Sequence, residues 1–368
     1  MRVGIAGTGM IGLTTGIAFK NLGADVVLLE QAPEVRAVGA SIGIWENALQ
    51  VFDELGVGQQ VRSKAVPLET WFYDASGHRF RDPAYGLEEH SFSLLSRPVL
   101  NDVLASTVGV ENIRFDSKVI GYEEAGHSVR VHLANGRSDE FDLLIGADGV
   151  YSQVRNQLAP GYPARKHVGH YVWRGMVPTQ GEPAQGSVLT VGHQRTRGGF
   201  TRAYGDQVMW MVNQFDSAEP TATKKEEALK RAANMNDNGW SEPLLRLIEA
   251  TPEEKILFNQ IMYVPELPRW SSARVCLIGD AAHGLSPHIS AGGTLGIEDV
   301  RVLARFVQKE STLQGALTAY EENRIPHYRE VHALAAKVEA AVDAQDYAHQ
   351  QAVFAHWMLY DGNSHSRV

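Results

Sequence analysis

Val3-Gly-Ile-Ala-Gly7-Thr-Gly9-Met-Ile-Gly12 opens the chain, and a second apolar run, Val26-Val-Leu-Leu29, ends at Glu30. The run before the glycines reads as a buried strand, and Met10 to Leu22 as the helix that follows it. Gly7 permits the tight turn, Gly9 lets a pyrophosphate approach the backbone, and Gly12 lets helix and strand pack closely. The helix start, at Met10 and Ile11, presents free N–H groups and a positive dipole end to phosphates. Glu30 ends the second run, where a carboxylate accepts hydrogen bonds from ribose hydroxyls. A lone GxGxxG is weak, but within a strand–turn–helix–strand–Glu frame it marks a dinucleotide site.

Bulk properties narrow the function classes. A chain of 368 residues is long enough for one large or two medium domains. Its 44% hydrophobic and 21% charged residues are ordinary globular composition. The net charge is −9, with no basic stripe, so no nucleic-acid partner is expected. The single cysteine, Cys276, stands in the apolar run Val275-Cys-Leu-Ile278, which reads as buried strand and allows neither a disulfide nor a cysteine metal site. No metal is expected. No run approaches the about 18 apolar residues of a membrane span, and the first strand leaves no room for a leader. The expectation is a cytoplasmic protein without membrane contact.

The organisation reads as three nucleotide-fold pieces separated by insertions, with no internal repeat. The expected division places residues 1–68, 96–166 and 269–312 in one nucleotide-binding domain. Residues 69–95 and 167–268 form an inserted β-rich substrate domain, and 313–368 form C-terminal helices and a tail. Within these, Glu46 to Leu55 reads as a helix closed by Gly56. Glu69 to Phe80 alternates like a strand, Thr70, Phe72 and Asp74 against Trp71 and Tyr73, with Ser76-Gly77 as its turn. Ser96 caps a helix carrying Pro98 in its first turn. Strands are expected at Ile113 to Phe115, Val119 to Glu123, Ser128 to Leu133 and Phe141 to Ile145, with Asn135-Gly136 as a hairpin turn. A helical interlude is expected from Lys224 to Ile248, and another helix from Gly293 to Val307. Tyr347, Phe354 and Trp357 are expected to pack a late helix on the body.

Two further strand ends carry a glycine and an acid: Leu143-Leu-Ile-Gly146-Ala-Asp148-Gly149, followed by Arg155, and Val275-Cys-Leu-Ile-Gly279-Asp280-Ala-Ala-His283. Ligands of open α/β sheets bind outside the carboxyl ends of the strands, so these carboxylates fall where a nucleotide's sugar lies. Each Gly-Asp alone is an ordinary turn; together with the opening motif they form a set.

That set resembles the class A flavoprotein monooxygenases, the p-hydroxybenzoate hydroxylase-like family. Gly7-x-Gly9-x-x-Gly12, Asp148-Gly149 and Gly279-Asp280 match in order and spacing. So do Gly39-Ala-Ser41-Ile-Gly-Ile-Trp45 with Asn47, Ser96-Arg97 to Leu100, and Tyr171-Val-Trp173-Arg174-Gly175. The resemblance implies an α/β fold: a three-layer Rossmann-like FAD-binding domain with an inserted β-rich substrate domain and a helical C-terminus. It implies non-covalent FAD held by Gly7, Gly9, Met10, Ile11, Gly12, Glu30, Gln31, Arg36, Ser41, Arg97, Val119, Asp148, Gly149, Gly279, Asp280, Pro287, Gly292, Gly293 and Thr294. It implies NADH or NADPH as co-substrate and hydroxylation of a small aromatic or N-heteroaromatic ring through a C4a-hydroperoxyflavin, by a monomer or homodimer.

The loop Ser286-Pro287-His288-Ile-Ser290-Ala291-Gly292-Gly293 departs from the family at Ser290-Ala291, where Gly-Gln is common. Pro287 shapes the catalytic wall. His288 either positions or deprotonates the substrate or is hydrogen-bonded to the loop backbone. Urate-oxidising relatives carry an acid at this position, so urate is not the expected substrate. Wall candidates for the substrate pocket are Trp45, Trp173, Arg197, Tyr204, Met209 and Trp210; core packing or surface exposure is the alternative at each. A reductase or halogenase of the same fold, or a non-catalytic flavin binder, stays open, although the halogenase Trp-x-Trp-x-Ile stretch is absent.

Overall fold

The structure is a computed structural model that describes residues 1–35, 41–179, 181, 186–287 and 290–362. Five strands form a wholly parallel sheet in the order Val275–Leu277, Leu143–Gly146, Arg2–Ala6, Asp25–Leu29, Ile113–Arg114. All but the edge pair Ile113–Arg114, whose Arg114 is exposed, are mainly apolar runs covered on both faces, as a parallel sheet requires. Ile5 sits between Ile145 and Leu28, and Cys276 pairs beside Ile145, wholly buried with its thiol pKa pushed well up by that burial. The helix Met10–Asn21 packs on this sheet. A Cβ on Gly12 would run into the Gly7 carbonyl, so the close packing needs glycine there.

A second, antiparallel sheet joins Ser138–Phe141, Ser128–Leu133 and Val119–Ala125. The single strand expected from Phe141 to Ile145 is two strands. Phe141 pairs antiparallel with Val129, whereas Leu143 pairs parallel with Val3. The chain changes sheets at Asp142, whose carboxylate accepts the Arg2 N–H at 2.6 Å.

The third sheet runs Leu257–Tyr263, Arg165–Pro178, Gln207–Gln214, Thr196–Ala203, Ser187–Val191, Val66–Asp74, Ser91–Ser96, Ser41–Ile44. Arg79–Phe80 pairs back on Val66–Asp74 around Ser76-Gly77, with Gly77 at φ +87°. Only Ser187–Val191 against Val66–Asp74 is parallel, and this pairing unites residues far apart in sequence. The helical interlude splits into Lys224–Ala232 and Glu242–Ala250, because Asn238 and Gly239 both take positive φ and cannot continue a helix. Ser96 precedes the helix Arg97–Val108 without a side-chain cap bond. Pro98 lies in that first turn and has no N–H to offer it.

The helix Ala291–Lys309 begins two residues before the expected Gly293, on Ser290 at φ +52°. Leu313–Ala340 and Ala344–His356 complete the described chain with a last π-helical turn, Trp357–Asp361. Tyr347 and Phe354 are buried against Trp45, Phe72 and Leu295, and Trp357 packs beside them, so these helices close over the third sheet. The expected tail falls on residues 363–368, outside the described residues.

Candidate active site

The carboxyl ends of four parallel strands open into one cavity of about 550 Å³, whose wall includes Ala6, Leu29, Ala147 and Ile278. Gly7 turns the chain there at φ +98°, and a Cβ on it would lie 2.7 Å from the Ala147 carbonyl oxygen. Gly9 precedes the first helix with no side-chain cap, and nothing lies within 4 Å of where its Cβ would be. The uncapped N–H groups of that helix are thus open to an anion. Met10, Ile11, Gln31, Val119 and Gly149 line the same cavity.

Glu30 is held before any ligand arrives. Its Oε2 accepts the Thr8 N–H at 3.0 Å and the Thr8 hydroxyl, and its Oε1 accepts the Ala32 N–H at 2.8 Å. Asp148 is half-committed: Oδ2 accepts the Gln153 and Val154 N–H groups at 2.7 and 3.3 Å, while Oδ1 is buried without a partner among the described residues. Burial pushes its pKa up. The buried Arg155 donates to the Val150 carbonyl at 2.7 Å and to the Ala281 carbonyl at 3.2 Å, tying this loop to the Gly279–Asp280 strand end.

A second cavity of about 200 Å³ abuts the first. The two share Ile42, Arg97, Asp280, Gly292 and Gly293. Arg97 and Asp280 are exposed at this junction. Three cross-strand rows of the third sheet build the second cavity's floor. Thr70, Ser187, Thr201 and Met209 pair in one row; Phe72, Leu189, Gly199, Met211 and Arg174 in the next; Arg197 and Asn213 with Val172 in the third. Pro287, Ser41 and Trp45 stand on other sides.

The strand period of two corrects two expected wall residues. Met209 faces the cavity, so its neighbour Trp210 faces away: it is fully buried, and its Nε1 donates to the Thr251 hydroxyl at 2.8 Å. Trp173, next to Arg174, is likewise in the core beneath the sheet, over which Arg231 stacks at 4.4 Å. Tyr204 lies off the cavity at a strand end, its hydroxyl taking the Lys64 ammonium at 3.1 Å. Arg197 does line the cavity, but both terminal nitrogens of its guanidinium are committed. It donates to the carbonyls of Val338, Glu339 and Ala341 at 2.9, 2.8 and 2.6 Å, capping the C-terminal end of Leu313–Ala340.

Three expected cofactor residues stand behind the surface. Gly12 and Gly279 shape the backbone, and the buried Thr294 hydroxyl accepts the Trp45 N–H at 3.2 Å. His283 is structural, its Nε2 at 2.6 Å from Asp299. Arg36 and His288 lie outside the described residues.

Sequence reading missed His90, which is 3% exposed in the cavity wall. It ends a 3-10 turn, Glu88–His90, with no periodic signal. Thr70 was separable in principle, because it alternates with Trp71 in the expected strand; its neighbour across the sheet, Thr201, required the register.

The arrangement fits FAD. A glycine cradle with no Cβ in the phosphate path, a fixed carboxylate at Glu30 and an orphaned buried oxygen on Asp148 are the groups a dinucleotide completes. Residues 1–335 match the FAD binding domain family. The chain is 31% identical over 337 residues to the aurachin C monooxygenase/isomerase of Stigmatella aurantiaca, covering 88% of this chain and 85% of that protein. It is 28% identical over 337 residues to an FAD-dependent urate hydroxylase of Mycolicibacterium vanbaalenii, covering 88% and 84%. Its fold matches Klebsiella pneumoniae HpxO, solved with FAD and uric acid, at a TM-score of 0.83 and 23% identity over 98% of this chain and 95% of that one. With a nucleotide cradle opening onto a second, sheet-floored cavity, the chain belongs to the FAD binding domain family and is an FAD-dependent monooxygenase of it.

Proposed function

We propose that this monooxygenase uses NADH or NADPH and dioxygen to hydroxylate a small aromatic or N-heteroaromatic ring held in the second cavity, in the cytoplasm, as a monomer or homodimer. The observation that carries this reading is the wall common to both cavities. Arg97, Asp280, Gly292 and Gly293 border the nucleotide cradle on one side and the sheet-floored cavity on the other. Bound FAD supplies the chemistry, two-electron reduction by the nicotinamide and activation of dioxygen.

The chain's own residues bind, orient and exclude water. Glu30 accepts from the ribose of the adenosine, the uncapped N-terminus of Met10–Asn21 takes the pyrophosphate, and Asp280 takes the ribityl hydroxyls. Asp148 and Arg97 complete the cofactor side, together with the backbone at Gly149, Gly292 and Gly293. Pro287 and Trp45 close the cavity beside the reacting ring. Residues 1–68, 96–166 and 269–312 act as the cofactor domain, and 69–95 with 167–268 as the substrate domain.

The test is NADH and NADPH consumption by the FAD-loaded protein against phenols, hydroxypyridines, quinolones and purines, with oxygen uptake and peroxide followed together. The expected result is a compound that accelerates oxidation of one nucleotide and leaves little peroxide. If no ring accelerates oxidation and neither nucleotide reduces the flavin, the reading fails.

A further inference from the structure

The polar atoms around the second cavity fall into two groups. Arg197 caps a helix through three carbonyls, Arg174 donates to the Asn259 side chain at 2.6 Å, and Glu89 is paired with His356 at 2.8 Å, while the Nε atoms of both arginines are buried without a partner among the described residues. Several neutral groups have no partner at all among those residues. The hydroxyls of Thr70 and Thr201 and the indole N–H of Trp45 are buried without hydrogen-bond partners among the described residues. Neither ring nitrogen of His90 meets a well-aligned partner among the described residues. Burial lowers the pKa of His90, and the Asp82 backbone offsets this only in part, so the ring is neutral with one donor and one acceptor nitrogen.

Buried polar groups left unpaired cost stability, and their gathering around one cavity marks a place that a ligand completes. Thr70 and Thr201 flank Ser187 in a single row across three strands. Phe72, two residues along from Thr70, meets the His90 ring edge-on at 6.2 Å. His90 is also held in place from outside the cavity. The segment before it is clamped to the last helices by Asp82 with His349, Glu88 with Tyr360, and Glu89 with His356.

Resting on the reading of this cavity as the substrate site, we propose that a neutral polar edge of the substrate ring is held by His90 with the Thr70 and Thr201 hydroxyls, which makes His90 a specificity-determining residue.

Calorimetric titration of the FAD-loaded protein with two probes of similar shape tests this: 2-hydroxyquinoline and naphthalene. The wild-type protein is expected to bind 2-hydroxyquinoline at least about tenfold more tightly than naphthalene. His90→Phe keeps a ring and removes both nitrogens. It is expected to abolish the preference over naphthalene while leaving naphthalene affinity within about twofold. His90→Gln, which keeps a donor and an acceptor, is expected to retain most of it. Equal losses for both uncharged probes would make His90 a packing residue and overturn the proposal. So would an unchanged preference in His90→Phe, or no wild-type preference at all. Coupled nicotinamide oxidation without this preference defeats the inference alone. The preference without coupled oxidation leaves the inference standing and defeats the monooxygenase reading.

Discussion

Asp299 accepts the backbone N–H of Gly279 at 3.0 Å, and that bond anchors the strand end from which Asp280 reaches the junction of the two cavities. Gly279 is held there at φ +58°. Asp299 is completely buried and also receives His283 at 2.6 Å and the Nε of Arg324 at 2.7 Å. Its neighbour Glu298 is equally buried and shares Arg324, but its other partners are Asn47, His327 and Arg301. These two acids separate support of the cofactor turn from support of the core.

Asp299→Asn leaves one acceptor for three donors. It is expected to cost about 3 kcal/mol of stability and to weaken FAD binding at least about tenfold. Glu298→Gln is expected to cost stability while FAD affinity stays within about threefold. Urea unfolding of the apo-protein and FAD titration read the two effects separately. Equal FAD losses in both variants would remove the special role of Asp299.

The same pair sets an acid limb. Burial alone would raise both carboxyls. The His283 and Arg324 charges outweigh it for Asp299, and the His327 hydrogen bond with the Arg324 charge does so for Glu298, so both are held below the usual range. The unfolded chain therefore binds more protons as pH falls below about 4.5, and this stability, whole above that pH, is lost toward the depressed folded values. Urea midpoints from pH 7 to pH 3 should fall less steeply for Asp299→Asn than for the wild-type protein. Parallel limbs would contradict the assignment.

Two glycines of the opening motif predict opposite outcomes. Ala at Gly12 meets the Gly7 carbonyl and should cost about 2 kcal/mol of stability. Gly9 has ordinary φ and open space, so Gly9→Ala should leave the apo-protein melting temperature unchanged and weaken FAD binding. Melting curves with FAD titrations decide it, and unaltered FAD binding in Gly9→Ala would place the phosphates elsewhere.

Arg197 predicts a stability effect rather than a charge-recognition effect. Arg197→Lys keeps the charge but cannot span three carbonyls, so about 2 kcal/mol should be lost. Affinity for aryl carboxylates should not change. A selective loss of carboxylate binding at full stability would restore it as a substrate anchor.

Adjacent residues on one strand should behave differently. Trp210→Phe removes a buried donor to Thr251 and should lower stability by about 1 to 2 kcal/mol with the substrate range intact. Met209→Ala opens the cavity floor and should broaden the range of rings accepted. A substrate-range screen beside urea unfolding distinguishes the two, and a reversed pattern would mean the opposite face is the floor.

Within Met1 to Glu30 the sequence by itself determined the strand, turn, helix, second strand and acid, because turn glycines and buried apolar runs act over short distances. The ends at Asp148 and Asp280 were legible for the same reason, as was the burial of Cys276. Tertiary structure alone decided which wall candidates face the second cavity. Alternation divides a strand into two faces without saying which one is covered, and Met209 and Trp210 were separated only by the helices that pack beneath the sheet. Thr70 and Thr201 became neighbours through a parallel pairing of distant segments. Arg197 was diverted to a helix end 141 residues away, and His90 was brought to the cavity by clamps from the last helices. Such contacts depend on how remote elements pack, and side-chain pattern encodes the periodicity of an element but not the identity of its neighbour.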